Sequence, residues 1–249
     1  MIVLDHIVKV FNKGKVNETT ALADVSLQIS KGEFVVMIGA NGSGKTTLLN
    51  IVGGEQRASS GKIVIKDTDV TGLPEHKRSK WIARVFQNPF NGTASELSLL
   101  DNFRLAALRT GSRKLSIGVN GSFQQKVTEK IALLGMGLEN KIHLPMGSLS
   151  GGQRQALTLL MCTMDQVDIL LLDEPTAALD PKSAAVVLRL TEQLIREYGL
   201  TALFITHNLK DALQYGNRLI QMQEGKMMRD LNAAEKTKLS LPDMFEWFS

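Results

Sequence analysis

The chain has 249 residues, is 43% hydrophobic, carries a formal net charge of +4 at pH 7 and holds one cysteine, Cys162. That length suits one large α/β domain or two small ones, with enough apolar content for a packed core. A lone cysteine excludes an internal disulfide framework, no apolar run approaches the roughly 18 residues of a membrane span, and the mild basicity reads as a solvated surface rather than a nucleic-acid patch.

Residues Met1 to Phe11 alternate apolar and polar and carry Asp5 and His6. This is a strand pattern rather than a signal peptide, so the chain is expected to fold in the cytoplasm. Asn12 to Thr20 is a polar loop, Ala23 to Ile29 alternates again, and Lys31-Gly32 turns the chain into an apolar run, Phe34 to Ile38. Two antiparallel strands before that buried strand predict a small β-layer beside an α/β core. Lys62 to Lys66 is expected to join that layer after the Ser60-Gly61 turn.

The stretch after Ile38 reads Gly39-Ala40-Asn41-Gly42-Ser43-Gly44-Lys45-Thr46-Thr47. The spacing Gly39-x4-Gly44-Lys45-Thr46, between a strand and a helix starting near Lys45, is that of a phosphate-binding P-loop. Backbone N–H groups must wrap closely around phosphate oxygens, so side chains are expected to be excluded at Gly39, Gly42 and Gly44. The helix N-terminus adds its positive dipole end. Lys45 supplies a full charge to the β- and γ-phosphates of a nucleotide, and the Thr46 hydroxyl a ligand for Mg2+.

Ile82 to Phe86 is a short apolar strand ending at Gln87, and Asn88 to Gly92 breaks regular structure. Residues 95 to 109 and 123 to 135 have helical apolar spacing, with a Gly-, Ser- and base-rich loop from Thr110 to Gly121 between them. Ser150, Gly151 and Gly152 stand just ahead of a predicted helix, Gln153 to Met164, and make a second anion-binding helix start. A chain with two such starts needs two anions, or two copies around one. The strand Val167 to Leu172 ends in Asp173-Glu174, which delivers two carboxylates beside the P-loop. Asp173 is expected to hold Mg2+ through water and Glu174 to polarise an attacking water as general base. Pro181 opens a long helix to Glu197. Thr201 to Ile205 is a strand ending at Thr206-His207, Leu209 to Gln214 is helical, and Arg218 to Met222 is expected to be the last strand. Strands alternating with helices argue a mostly parallel sheet. The tail, Asn232 to Ser249, reads as one or two short helices packed on their own domain.

In chain order, the P-loop, Gln87, Leu149-Ser150-Gly151-Gly152-Gln153, Asp173-Glu174, Ala178-Leu179-Asp180 and His207 resemble the Walker A, Q-loop, signature, Walker B, D-loop and H-loop motifs of ATP-binding cassette (ABC) proteins. The resemblance, to the nucleotide-binding subunit of an ABC transporter, runs from Phe11 to Gly225. It is closest to a bacterial subfamily of uncharacterised-type transport systems, some of whose members are assigned to tryptophan or tyrosine uptake.

The resemblance implies an α/β P-loop NTPase core with a mostly parallel sheet. The whole chain, 1–249, would be one ATPase domain: an N-terminal antiparallel β-subdomain and core over about 1–87 and 166–231, an inserted helical subdomain over about 88–165, and a tail at 232–249. It implies binding of ATP and Mg2+ by residues 39 to 47, with Gln87 near the metal and the attacking water and His207 on the γ-phosphate. It also implies a head-to-tail homodimer, or paired ATPase subunit, in which Ser150, Gly151, Gly152 and Gln153 of one copy close over the nucleotide of the other and Asp180 crosses the interface. Phe11 stands where the family usually has an aromatic ring stacked on adenine. The implied partners are an integral membrane permease and, indirectly, a solute-binding protein, at the cytoplasmic face of the inner membrane; no nucleic acid is expected. The permease is expected to dock on Gln87 to about Asn102, with Phe90, Leu97, Leu99 and Leu100 as its apolar floor. The departures are Phe11 for the commoner Tyr, Thr47 in the second hydroxyl position and Ala178 where Ser is common. A single-cassette ATPase without a transport role, as in cofactor assembly, is the other open reading. Translation factors carry two cassettes and DNA-repair types a long heptad insertion, which this chain lacks.

Overall fold

Three five-residue runs, Phe34–Ile38, Ile169–Asp173 and Thr201–Ile205, are buried at every position, as expected of parallel strands covered on both faces. They lie at the centre of the computed structural model, which describes residues 1–109 and 119–248. In chain order the elements are β1 (Ile2–Phe11), β2 (Thr19–Ile29), β3 (Phe34–Ile38), α1 (Lys45–Gly53), β4 (Ser60–Ile65), β5 (Thr68–Asp69), α2 (Glu75–Arg78), β6 (Ile82–Val85), α3 (Leu99–Ala106), α4 (Gly121–Ala132), α5 (Gly151–Cys162), β7 (Ile169–Asp173), α6 (Pro181–Tyr198), β8 (Thr201–Ile205), α7 (Leu209–Gln214), β9 (Arg218–Gln223), β10 (Lys226–Leu231), α8 (Ala233–Lys236) and α9 (Leu241–Glu246).

The strands form two sheets, one ordered β2-β1-β4-β5 and the other β10-β9-β3-β8-β7-β6. The first is antiparallel; in the second, β9, β3, β8, β7 and β6 run parallel and β10 returns antiparallel to β9. Successive residues of a strand face opposite sides of the sheet, and here each side has its own core. Val35, Met37, Leu171 and Leu203 pack with α1 and the antiparallel sheet, while Val36, Ile38, Leu172 and Phe204 pack with the helices of the other layer. Each fully buried aliphatic side chain contributes about 1.5–3 kcal/mol, so the shared strands tie the two layers into one structure.

Several boundaries differ from the sequence expectation for identifiable reasons. The helix expected from 95 starts at Leu99, because the Ser98 hydroxyl accepts from Asp101 N at 3.0 Å and caps it there. Asn120 likewise caps α4 two residues early, its side chain accepting from Phe123 N. Most of the loop expected from Thr110 to Gly121 lies outside the described residues. Arg218 to Met222 is not the last strand: β10 follows, an edge strand with mostly exposed residues, including Arg229 and Asp230. Charge on an edge strand blocks further pairing and also hides the strand from a hydropathy reading.

The tail folds back as two short helices. Met244 is fully buried and Trp247 packs against the core of the helical layer. Arg229 stacks its guanidinium 4.7 Å from the Trp247 ring, and Gln221 Nε2 donates to Trp247 O at 3.2 Å. Lys236 is buried and donates to the carbonyls of Tyr215 and Gly216, and burial lowers its pKa to about 8. Among the described residues no helix is long and apolar enough to cross a membrane.

Candidate active site

Sheet register gathers the site. Asp173 of β7 lies opposite Ile205 of β8, and Ile205 lies opposite Met37 of β3; on the other side Leu172 pairs with Val85 of β6. Four adjacent parallel strands therefore end level with one another. Asp173 closes β7, and the residues that follow the four strands are Gly39, Glu174, Thr206-His207 and Phe86-Gln87. The carboxyl ends of parallel strands are where α/β folds bind ligands. A cavity of about 670 Å3 opens there, lined by Gly39, Asn41, Thr46, Gln87, Glu174 and His207 among others.

Gly39 and Gly44 are required by the packing. A Cβ on Gly39 would lie 2.2 Å from Met222 O, and one on Gly44 2.6 Å from Ala21 O, at φ 155° and 100°. The loop can thus pass close to β9 and β2, the tight backbone approach that a phosphate-binding turn needs. Gly42 has open space, and only its φ of 80° favours glycine. Lys45, 4% exposed, donates to Gly39 O at 2.8 Å, Ala40 O at 3.0 Å and Ser43 Oγ at 3.3 Å. Burial lowers its pKa, while Glu174 and Asp173 pull it back up.

The Thr46 hydroxyl donates to Asp173 Oδ1 at 3.2 Å, so two hard oxygens meet at the mouth of the P-loop. Among the described residues no three His, Cys, Asp or Glu side chains cluster to form a protein cage. Two or so oxygen ligands beside a phosphate site is the donor set that suits Mg2+, which keeps several waters and takes its other ligands from phosphate.

Glu174 is the meeting point of three strand ends. Its Oε2 accepts from Gln87 Nε2 at 3.1 Å and lies 3.0 Å from His207 Nδ1, and its side chain is 13% exposed. Its backbone sits at φ 45°, in the left-handed region, which costs a non-glycine residue about 1–2 kcal/mol. Strain of this kind clusters at functional positions. Here it turns the carboxylate from the strand toward the cavity while Glu174 N still donates to Ile205 O.

The sequence reading missed Arg84. Its Nη2 donates to Asp173 Oδ2 at 3.0 Å and Asn50 Oδ1 at 2.7 Å, its Nη1 donates to Glu55, and its guanidinium lies 4.8 Å from the Phe86 ring. One side chain thereby joins β6, β7 and α1 behind the site and holds the Asp173 carboxylate in place. The available signal was a charge inside the apolar run Ile82–Val85, since arginine is almost never buried unless paired. Both Arg84 and Asp173 side chains are 10% exposed, and removing one partner of a buried pair costs about 3–5 kcal/mol. Arg84→Met is expected to lose stability in that range by urea unfolding; a loss below about 1 kcal/mol would show that the pair is not needed to hold β6 against β7.

The signature residues lie elsewhere. Ser150 caps α5, accepting from Gln153 N at 3.3 Å, and Gln153 Oε1 accepts from Ser150 N at 3.1 Å. None of residues 149–155 lines the P-loop cavity. Gly152 has no room for a side chain, because a Cβ would lie 2.5 Å from Ser183; it lets α5 pack directly on the start of α6. Asp180 caps α6 through Lys182 N and Ser183 N, and the hydrogen bonds from Ser183 hold its carboxyl below the usual range. Helix α5 also reaches the Gln87 segment: Gln155 Nε2 donates to Phe86 O at 2.9 Å, and Arg154 lies 4.1 Å from the Phe90 ring. Phe11, half-buried at the end of β1, is packed into neither core and lies under Lys9, 4.8 Å from its Nζ. Leu99 and Leu100 are 0% and 4% exposed. They belong to the core and cannot form the floor of a docking groove; Phe90 and Leu97 remain exposed.

The family model described as ABC transporter matches residues 22–177. A tyrosine transport ATP-binding protein of Clostridioides difficile (strain R20291) is 41% identical over 251 aligned residues, covering 100% of this chain and 98% of the relative. A phosphonates import ATP-binding protein of Lactococcus lactis subsp. lactis (strain IL1403) is 32% identical over 98% of each. Among solved structures, a dimeric ATP-binding cassette in a post-hydrolysis state with ADP and phosphate matches at TM-score 0.81 and 28% identity, over 94% of this chain and 99% of that one. A second cassette in its ADP conformation matches at TM-score 0.81 and 27% identity, over 100% and 98%. With these matches and a P-loop, paired carboxylates and a histidine at one sheet edge, the chain belongs to the ABC transporter family as an ATP-binding, ATP-hydrolysing cassette that powers transport.

Proposed function

We propose that the cassette drives import of a solute through a separate integral membrane permease at the cytoplasmic face of the membrane, by ATP-dependent head-to-tail pairing with a second cassette. The observation that carries the catalytic part is the convergence of Gln87 and His207 on one oxygen of Glu174. Import is supported by the relatives named for tyrosine transport and phosphonates import, and the full-length similarity to the first favours an amino-acid solute. The solute is read by the permease and its binding protein, not by this chain.

In this reading residues 39 to 47 hold the triphosphate, with backbone N–H groups and Lys45 on the β- and γ-phosphates. Thr46, Gln87 and, through water, Asp173 hold Mg2+, which neutralises charge on the phosphate oxygens when bound. Glu174 takes the proton from the attacking water. Gln87 and His207 keep its carboxylate aimed at that water, and His207 also contacts the γ-phosphate. Ser150, Gly151, Gly152 and Gln153 act on the nucleotide of the opposite copy, which accords with their absence from their own P-loop cavity. Asp180 holds the loop that crosses between the copies.

Phe11 is assigned to adenine stacking, since it belongs to neither core. Phe11→Ala is expected to weaken ATP binding up to about tenfold, because an aromatic pair adds about 0.5–1.5 kcal/mol beyond its burial. Phe11→Tyr and Phe11→Trp should bind as the wild type does. An alanine variant with unchanged affinity for ATP in a fluorescence titration would remove Phe11 from the site.

The permease contact is assigned to the exposed segment after Gln87, with Phe90 and Leu97 as its apolar contacts. Cysteines placed singly at these positions should cross-link to a co-purifying integral membrane protein. Burial raises the Cys162 thiol pKa to about 11 and keeps it from competing. Co-purification as a soluble chain alone, or cross-links only from residues beyond 232, would contradict the assignment.

A further inference from the structure

Helix α9 and the turn after it present two aromatic rings to the nucleotide cavity. Met244 anchors the helix in the core, whereas Phe245 and Phe248 are 61% and 44% exposed. They are three residues apart, Phe245 in the last turn of α9 and Phe248 just past its Trp247 cap, where Phe248 N donates to Phe245 O at 3.1 Å. Both line the cavity that contains Asn41, Glu174 and His207, beside Leu209. Apolar rings offer nothing to a triphosphate, since the face of an aromatic ring is electronegative. Phe11, the ring assigned to adenine, does not line this cavity.

A second hollow, of about 740 Å3, opens between the start of α6 and α7 and also borders Glu174 and His207. Its walls include Leu179, Ala184, Ala185, Leu188 and Tyr215. An aromatic projection and a hollow whose apolar wall, Leu179, Ala184, Ala185 and Leu188, faces a polar one, Thr206, Asn208, Asp211 and Gln214, thus flank the same two residues. A two-fold interface needs that kind of self-complementary surface, in which each copy offers what the other receives.

We propose that Phe245 and Phe248 anchor a second copy of this chain by seating in the α6–α7 hollow of that copy when the two close around ATP. The inference rests on the head-to-tail pairing proposed above and is continuous with it, because Glu174 and His207 border both surfaces. The permease is assigned a different surface, since neither Phe90 nor Leu97 borders the cavity or the hollow. The tail thereby makes pairing, and with it hydrolysis, depend on the docking of α9.

The test uses the full chain carrying Glu174→Gln, with saturating ATP and Mg2+, and reads the dimer dissociation constant by sedimentation equilibrium. Adding Phe245→Ala and Phe248→Ala should raise that constant tenfold or more, because buried aromatic anchors dominate interface energies. Both side chains are exposed in the single chain, so the melting midpoint should hold. Binding of a fluorescent ATP analogue, measured far below the dimer constant, should stay within twofold. Ala185→Arg, in the hollow, should also weaken the dimer, and the combined variant should lose less than the two separate losses added together, the sign of direct contact. An unchanged dimer constant overturns the proposal. A fall in analogue affinity of the monomer also does so, because it would place the rings in the nucleotide site. Strictly additive losses overturn the pairing of rings with hollow. If the Glu174→Gln parent itself stays monomeric with ATP bound, the head-to-tail reading fails and the anchor fails with it.

Discussion

Lys45→Ala is expected to reduce ATP hydrolysis by at least about 10²–10³-fold, the loss typical when one preorganised charge stabiliser is removed from a transition state. The geometry explains why no neighbour can substitute. The Lys45 ammonium is almost fully buried and shared among Gly39 O, Ala40 O and Ser43 Oγ. It therefore lies inside the loop that is proposed to hold the phosphates, already desolvated. A charge in a dry, fixed site acts more strongly than one in water. Nucleotide affinity should fall as well, since the same charge binds the ground state. Phosphate release and fluorescent-nucleotide titration check both effects, with circular dichroism confirming the fold. Turnover at the wild-type rate would contradict the assignment of this loop as the ATP site.

Glu174→Gln is expected to lower hydrolysis by about 10²–10⁴-fold, the usual contribution of a positioned general base, while sparing ATP binding. The two adjacent carboxylates have different surroundings. Asp173 is fixed by Thr46 on one oxygen and Arg84 on the other, which suits a ligand-holding group. Glu174 faces the cavity from a strained backbone and is contacted by Gln87 and His207, which suits a group that receives a proton. Glutamine keeps the shape and the hydrogen-bonding reach but cannot take that proton. Asp173→Asn should have the complementary effect, raising the Mg2+ concentration needed for tight nucleotide binding. If the two variants lost binding and turnover equally, the division of roles between the carboxylates would be wrong.

Much of this site could be read in the sequence because its chemistry is carried by short, contiguous runs. Gly39 to Thr46 needs its residues in that spacing, and each of the runs before Gly39, Asp173 and His207 is apolar enough to be recognised as a buried strand. The convergence of those strand ends was legible only in part. Residues 87, 174 and 207 meet through sheet register, which depends on pairing between strands far apart in sequence. The elements that were missed have little local signal. Strand β10 is exposed and charged, α2 is one turn long, and β5 has two residues. Leu99 and Leu100 were placed in the permease groove by the resemblance alone; the Ser98 cap starts α3 at Leu99, and both side chains turn into the core. Arg84 was hidden for a different reason: its value lies in Asn50 of α1, Glu55 in the turn after it and Asp173 of β7. The tail resembled a simple packing segment, and Trp247 behaves as one. The position of Phe245 and Phe248 depends on how α9 sits over α7, and nothing in residues 232–249 alone reports that.

The central claim is that ATP is held between two copies, with Lys45 of one and Ser150 of the other on the same nucleotide. It is tested most directly by the mass of the Glu174→Gln chain in solution, measured by size exclusion with light scattering. With ATP and Mg2+ the mass should be twice the chain's 27.3 kDa, and with ADP it should return to that of the single chain. Adding Ser150→Arg, which places a bulky side chain over the opposite γ-phosphate, should leave only the single-chain mass even at saturating ATP. A Glu174→Gln chain that binds ATP yet keeps the single-chain mass, or a dimer that persists with Ser150→Arg, would contradict the account.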